Sequence, residues 1–146
     1  CVMPIMWREQ MRVGNDLIDQ DHRYLVCLFN CLELSLGRED SRELLPSLFG
    51  QLREYTQTHF DREERIQLKA NYQHYMEHKL QHQNIIEHLD EINRQLQRCL
   101  ESAEGEVEFP INLEVMALAR EWVIDHIIKT DRDMIPMLKK LPKNFQ

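Results

Sequence analysis

The chain has 146 residues, enough for one domain with a full hydrophobic core and no need of staples. Its formal charge of −7 argues against nucleic acid and anionic membrane as partners and leaves room for bound cations. No apolar run reaches the roughly 20 residues of a membrane span, no signal peptide is visible, and the few glycines (4) and prolines (5) suit a mainly helical chain.

Residues 1–17 lack helical periodicity and contain Pro4 and Gly14. They read as an N-terminal arm whose Trp7 and methionines pack on the body. Asn15, Asp16 or Asp19 is placed to cap the next element. The first helix is predicted over about 18–37, with Ile18, His22, Leu25, Phe29, Leu32 and Leu36 along one face and Gly37 as its stop. His22 lies within that stripe and reads either as a hydrogen-bonded core histidine or as a ligand. Asp40 or Ser41 is expected to begin the second helix, with Glu43 completing a capping box, although Pro46 falls near its first turns. The stripe Leu48, Leu52, Tyr55, His59, Glu63, Ile66 then brings a His/Glu pair to the core side at i, i+4.

Ala70 and Asn71 mark a break, and the third helix is predicted over about 72–102. His74, His78 and His82 form a ladder on one face that continues as Ile85, Leu89, Ile92 and Leu96. Imidazoles on such a face need a partner. A metal ion is one reading, and a polar, partly exposed face is the other. Residues 102–110 read as a loop punctuated by Gly105 and Pro110. The fourth helix is predicted over about 111–130, with Met116, Ala119, Val123 and His126 inward. Asp131 follows His126 by five residues. On an ideal helix that is about 140° away, so the two share a site only if the helix ends or bends there. Pro136 limits the remainder to a short helix near 133–141, and 141–146 reads as a tail or linker. The 4 cysteines, Cys1, Cys27, Cys31 and Cys99, form no C-x-x-C pair. They read as small apolar residues or bystanders, which suits a reducing cytoplasm.

Four long helices with short connections and apolar inner stripes predict an all-α fold. Its architecture is an antiparallel up-down four-helix bundle, one domain over 1–146, with an N-terminal arm and a short C-terminal helix. Each helix brings a ligand-capable group inward: His22, then His59 and Glu63, then His78 and His82, then His126 with Asp131. Bundle interiors commonly hold metals between facing helices.

The segments IDQDH (18–22), HFDREE (59–64), Y-x5-H-x3-H (72–82) and W-x3-HIIKTD (122–131) resemble the hemerythrin family in its bacterial branch. The resemblance covers nearly the whole chain. It implies a non-haem di-iron centre in which His78, His82 and His126 bind one iron and His22 and His59 the other. Glu63, Asp131 and an oxo or hydroxo group bridge the two, and His74 and His88 are solvated non-ligands. Counting donors around two six-coordinate ions leaves about one position open, on the iron with two histidines. The resemblance implies reversible O2 binding in that position, for carriage, storage or sensing, and not an enzyme. Oxygen-activating di-iron bundles use E-x-x-H pairs, and this chain has none. Leu25, Phe29, Tyr55, Met116, Trp122 and Val123 are candidates to line the O2 pocket, with plain core as the other reading of each. The start at Cys1 and the Lys-rich end suggest a second role, an O2- or redox-sensing input domain joined to a C-terminal signalling domain. A di-iron peroxidase or a nitric-oxide or iron-handling protein is a third.

Overall fold

A computed structural model describes residues 3–36, 38–101 and 113–146. Its order is α1 (Asp16–Leu36), a 3-10 segment (Glu39–Leu44), α2 (Leu45–Lys69), α3 (Tyr75–Glu101) and α4 (Leu113–Ile124). A π-helical turn (Asp125–Thr130), a 3-10 turn (Asp131–Met134) and α5 (Ile135–Leu138) complete the chain. The four long helices form the bundle, with no strand among the described residues.

Asn15 is the cap of α1. Its Oδ1 accepts from the backbone N–H of Leu17 and Ile18 at 3.1 and 3.2 Å, and its Nδ2 donates to the Phe145 carbonyl at 2.9 Å. Asp19 reaches back instead, accepting from the N–H of Val13 at 2.7 Å and of Gly14 at 3.3 Å. Gly14 makes that tight reversal at φ 101°, a region that favours glycine. Asn15→Ala removes the cap and the tether together. It should cost about 1–2 kcal/mol, the upper range for a lost N-cap, read as a lower urea midpoint at unchanged slope.

The segment 141–146 is held by the body. The Lys143 carbonyl accepts from Asp16 N–H at 2.8 Å, and Lys69 Nζ donates to the Gln146 carbonyl at 2.8 Å. In the arm, Ile5 and the Asn30 side chain exchange two hydrogen bonds of 2.9 Å. Trp7 packs on the core and Met11 is buried. Met3 and Met6, expected to pack too, are 77% and 65% exposed.

The start of α2 differs from the expectation. The α-helix does not open at Asp40 or Ser41, because the chain first runs through the 3-10 segment. The α-helix then begins at Leu45 with Pro46 in its first turn, where the missing N–H costs nothing. Its end is a Schellman motif. Asn71 takes φ 54°, its N–H donates to Leu68 O at 3.2 Å, and Tyr72 N–H donates to Gln67 O at 2.9 Å. The third helix accordingly starts at Tyr75, three residues later than predicted. Cys27 and Cys31 are exposed free thiols. Gly37, residues 102–112 and the side chains of Ser41, Cys99, Met116 and Ala119 lie outside the described residues, as does Cys1.

Two apolar clusters bracket the bundle interior. Leu25, Phe29, Leu32, Leu52, Leu89 and Leu96 belong to the larger one. Val13, Ile18, Ile66, Met134 and Leu138 form the smaller one at the other end. The histidine-rich rungs lie between.

Candidate metal centre

Seven side chains from four segments converge in this interior. His22, His59, Glu63, His78, His82, His126 and Asp131 are all between 0% and 7% exposed. One ligand-capable atom from each of Glu63, His78, His82, His126 and Asp131 falls within 4.8 Å of all the others. The same holds for His22, His59, Glu63 and Asp131. The two carboxylates are common to both groups.

Each carboxylate divides its oxygens between the groups. Glu63 Oε1 lies 3.3 Å from His78 Nε2 and 3.2 Å from His82 Nε2. Its Oε2 lies 3.2 Å from His59 Nε2 and 3.9 Å from His22 Nε2. Asp131 Oδ1 lies 2.9 Å from His78 Nε2 and 3.1 Å from His126 Nε2, while Oδ2 lies 2.8 Å from His22 Nε2.

The phase problem of Asp131 is solved by the π-helical turn. Asp131 N–H donates to the carbonyl of His126, five residues back. The wider turn therefore carries Asp131 over His126, where an ideal α-helix would put it to one side. One-turn π insertions of this kind recur at functional sites.

The donor set has the character of a metal site. His22 Nε2, His59 Nε2, Asp131 Oδ2 and both Glu63 oxygens are buried and make no well-formed hydrogen bond, despite their crowding. Buried polar atoms left this way are costly unless something binds them. Five imidazoles and two carboxylates suit first-row transition ions, iron among them.

Second partners orient the imidazoles. His59 Nδ1 faces Asp21 Oδ2 at 3.0 Å, which leaves Nε2 directed inward. Asp21 is itself held by Tyr55 Oη at 2.7 Å and by Arg62 Nη1 at 2.5 and 2.6 Å. The side-chain amide of Gln67 sits against His78 Nδ1 through its Nε2, which also lies 3.1 Å from Met134 Sδ. His82 is stacked on Phe60, with centroids 3.8 Å apart and planes 6° from parallel. Asp21, Gln67 and Phe60 were not singled out from the sequence. Gln67 had a readable signal, because it continues the four-residue step His59, Glu63, Gln67.

Burial disfavours a charged His59, but its contacts with Asp21 and Glu63 prevail and push its pKa up to about 10. For His126 burial outweighs the neighbouring Asp131 and Glu63 carboxylates and brings its pKa down to about 4. Burial also disfavours ionised Glu63, yet His59 and His82 hold it well below the usual carboxylate range. The metal-free chain thus carries a proton on His59 at neutral pH. A metal ion that takes Nε2 must displace it. Metal loading at pH 7 should release that proton, and affinity should strengthen as the pH rises from 6 toward 10. Asp21→Asn should reduce both effects. Chelator-competition titrations across that pH range provide the check.

Beside the histidines lies a cavity of about 40 Å³. His59 and His126 form part of its wall, and so do Leu25, Phe29, Trp122 and Val123. Tyr55 does not line it. The Tyr55 hydroxyl is committed to Asp21, and burial together with that carboxylate pushes its pKa up to about 12. His74 and His88 are exposed and stand outside both ligand groups.

Residues 13–138 match the family described as Hemerythrin HHE cation binding domain. The chain belongs to the hemerythrin family. Among curated hemerythrins, it is 26% identical over 133 residues to bacteriohemerythrin of Clostridium acetobutylicum, covering 89% of this chain and 98% of that one. To myohemerythrin-1 of Phascolopsis gouldii it is 26% identical, covering 88% of this chain and 89% of that one. A crystal structure of wild-type hemerythrin shares the fold with a TM-score of 0.79 at 21% identity, covering 93% of this chain and 98% of the other. No helix among the described residues is long and apolar enough to cross a membrane.

Proposed function

We propose that this hemerythrin binds O2 reversibly at two iron ions. His78, His82 and His126 would hold one, His22 and His59 would hold the other, and Glu63 and Asp131 would be shared between them. The division of each carboxylate's oxygens between the two histidine groups supports the bridging roles. A pair of ferrous ions, when bound, supplies two electrons and one open coordination position to a diatomic ligand.

The observation that carries this reading is the cavity against His59. At about 40 Å³ it exceeds the roughly 10–15 Å³ that a molecule the size of water requires, and it suits a diatomic gas. It abuts His59 of the histidine-poor group, where donor counting leaves the vacancy, and His126 of the other group. Its remaining walls are overwhelmingly apolar, so water gains few partners there. Leu25, Phe29, Trp122 and Val123 exclude solvent, and Phe60 holds the His82 ring plane. Asp21 keeps the proton of His59 on Nδ1, away from the reacting side.

Carriage, storage and sensing all rest on this one binding step. Iron-loaded protein in air should show a visible charge-transfer band that vanishes under argon and returns with O2. An aerobic spectrum identical to the anaerobic one would refute the proposal.

A further inference from the structure

The least buried part of the cavity wall is built from α3 and α4. Most of the wall is buried, but Ile85, Trp122 and Val123 are only half-buried. Trp122 is the largest of these. It helps to line the cavity. Its ring also makes an edge-to-face contact with His88, with centroids 4.6 Å apart and planes 84° from parallel.

His88 belongs to neither ligand group and is itself exposed. An exposed imidazole ordinarily samples several rotamers. This one is tethered, since Nδ1 lies 2.7 Å from the Asn84 carbonyl one turn earlier and donates to it. The ring is thus fixed from within its own helix and set roughly perpendicular to an indole from another helix. Such edge-to-face contacts are favourable beyond the area they bury.

Resting on the O2-binding reading above, we propose that His88 is a positioning residue that latches Trp122 and sets the rate at which O2 enters and leaves the pocket. The latch touches neither the metal ligands nor the cavity. It therefore acts on the passage and leaves the bound state alone. A residue of that kind changes association and dissociation by the same factor and leaves their ratio fixed.

The test uses two readouts. In metal-free protein carrying Trp7→Phe, Trp122 is the sole indole, and quenching of its fluorescence by dissolved O2 reports access directly. His88→Ala should raise the quenching rate constant about two- to tenfold, the range for loss of one edge-to-face contact. His88→Phe keeps a ring edge and should restore much of the protection. In iron-loaded protein, stopped-flow mixing with O2 should show association and dissociation accelerated together in His88→Ala, at unchanged Kd. Unchanged quenching in His88→Ala would overturn the latch. So would a dissociation rate that rises alone and weakens Kd. If iron-loaded protein binds no O2 at all while quenching still responds, the O2-binding reading fails and the latch on Trp122 stands.

Discussion

Glu63→Ala should bind fewer than two irons per chain and lose the O2-dependent absorption band. Glu63 is fully buried, with one oxygen 3.2 Å from His82 Nε2 and the other 3.2 Å from His59 Nε2. On the proposed assignment, removing it would take one donor from each ion at once. The histidine-poor ion would then keep only His22, His59 and one oxygen of Asp131. Loss of a supporting residue around a metal costs roughly 10–100-fold in affinity, and loss of a shared ligand should exceed that. Glu54→Ala, an exposed change on the same helix, should leave metal content at two. Metal analysis after gel filtration separates the two outcomes. A Glu63→Ala protein that kept both irons and its band would show that the bridging assignment is wrong.

Phe29→Ala should destabilise the bundle by about 3–5 kcal/mol. Phe29 is 1% exposed and packs in the larger apolar cluster, so its ring has no solvent-facing alternative. On a chain of this size that corresponds to a fall in Tm of roughly 6–20 °C. The same ring is part of the cavity wall. Truncation enlarges the apolar space beside His59 and His126 and admits water more readily. The oxygenated form should therefore decay faster in Phe29→Ala than in wild type at a temperature where both stay folded. Thermal melts and the lifetime of the band measure the two effects separately.

The parts of the fold that follow from helical spacing were readable without coordinates. Ile18, His22, Leu25, Phe29 and Leu32 do share the buried face of α1, and the ladder from His78 and His82 through Leu89 and Leu96 is buried too. Periodicity reports which face is inward, and burial follows from it. It does not report the shape of a turn. The arrangement of Asp131 over His126 depends on a backbone hydrogen bond five residues long, which no apolar pattern encodes. Periodicity could only state the conflict.

Asp21 was hidden for a related reason. It precedes an inward histidine, so it points about 100° away on the helix and reads as solvated. It is buried because Tyr55 and Arg62 of α2 close over it. That is a pairing between helices, outside the reach of a single-helix pattern. The 3-10 segment before α2 was likewise invisible to the capping pattern, although Pro46 already pointed to the true start.

The account rests on two metal ions sharing one small-ligand position, and gas-uptake stoichiometry tests this most directly. Reduced, fully iron-loaded protein should take up one O2 for every two irons and release it under argon. Uptake of one O2 per iron, or none, or uptake that argon does not reverse, would contradict it.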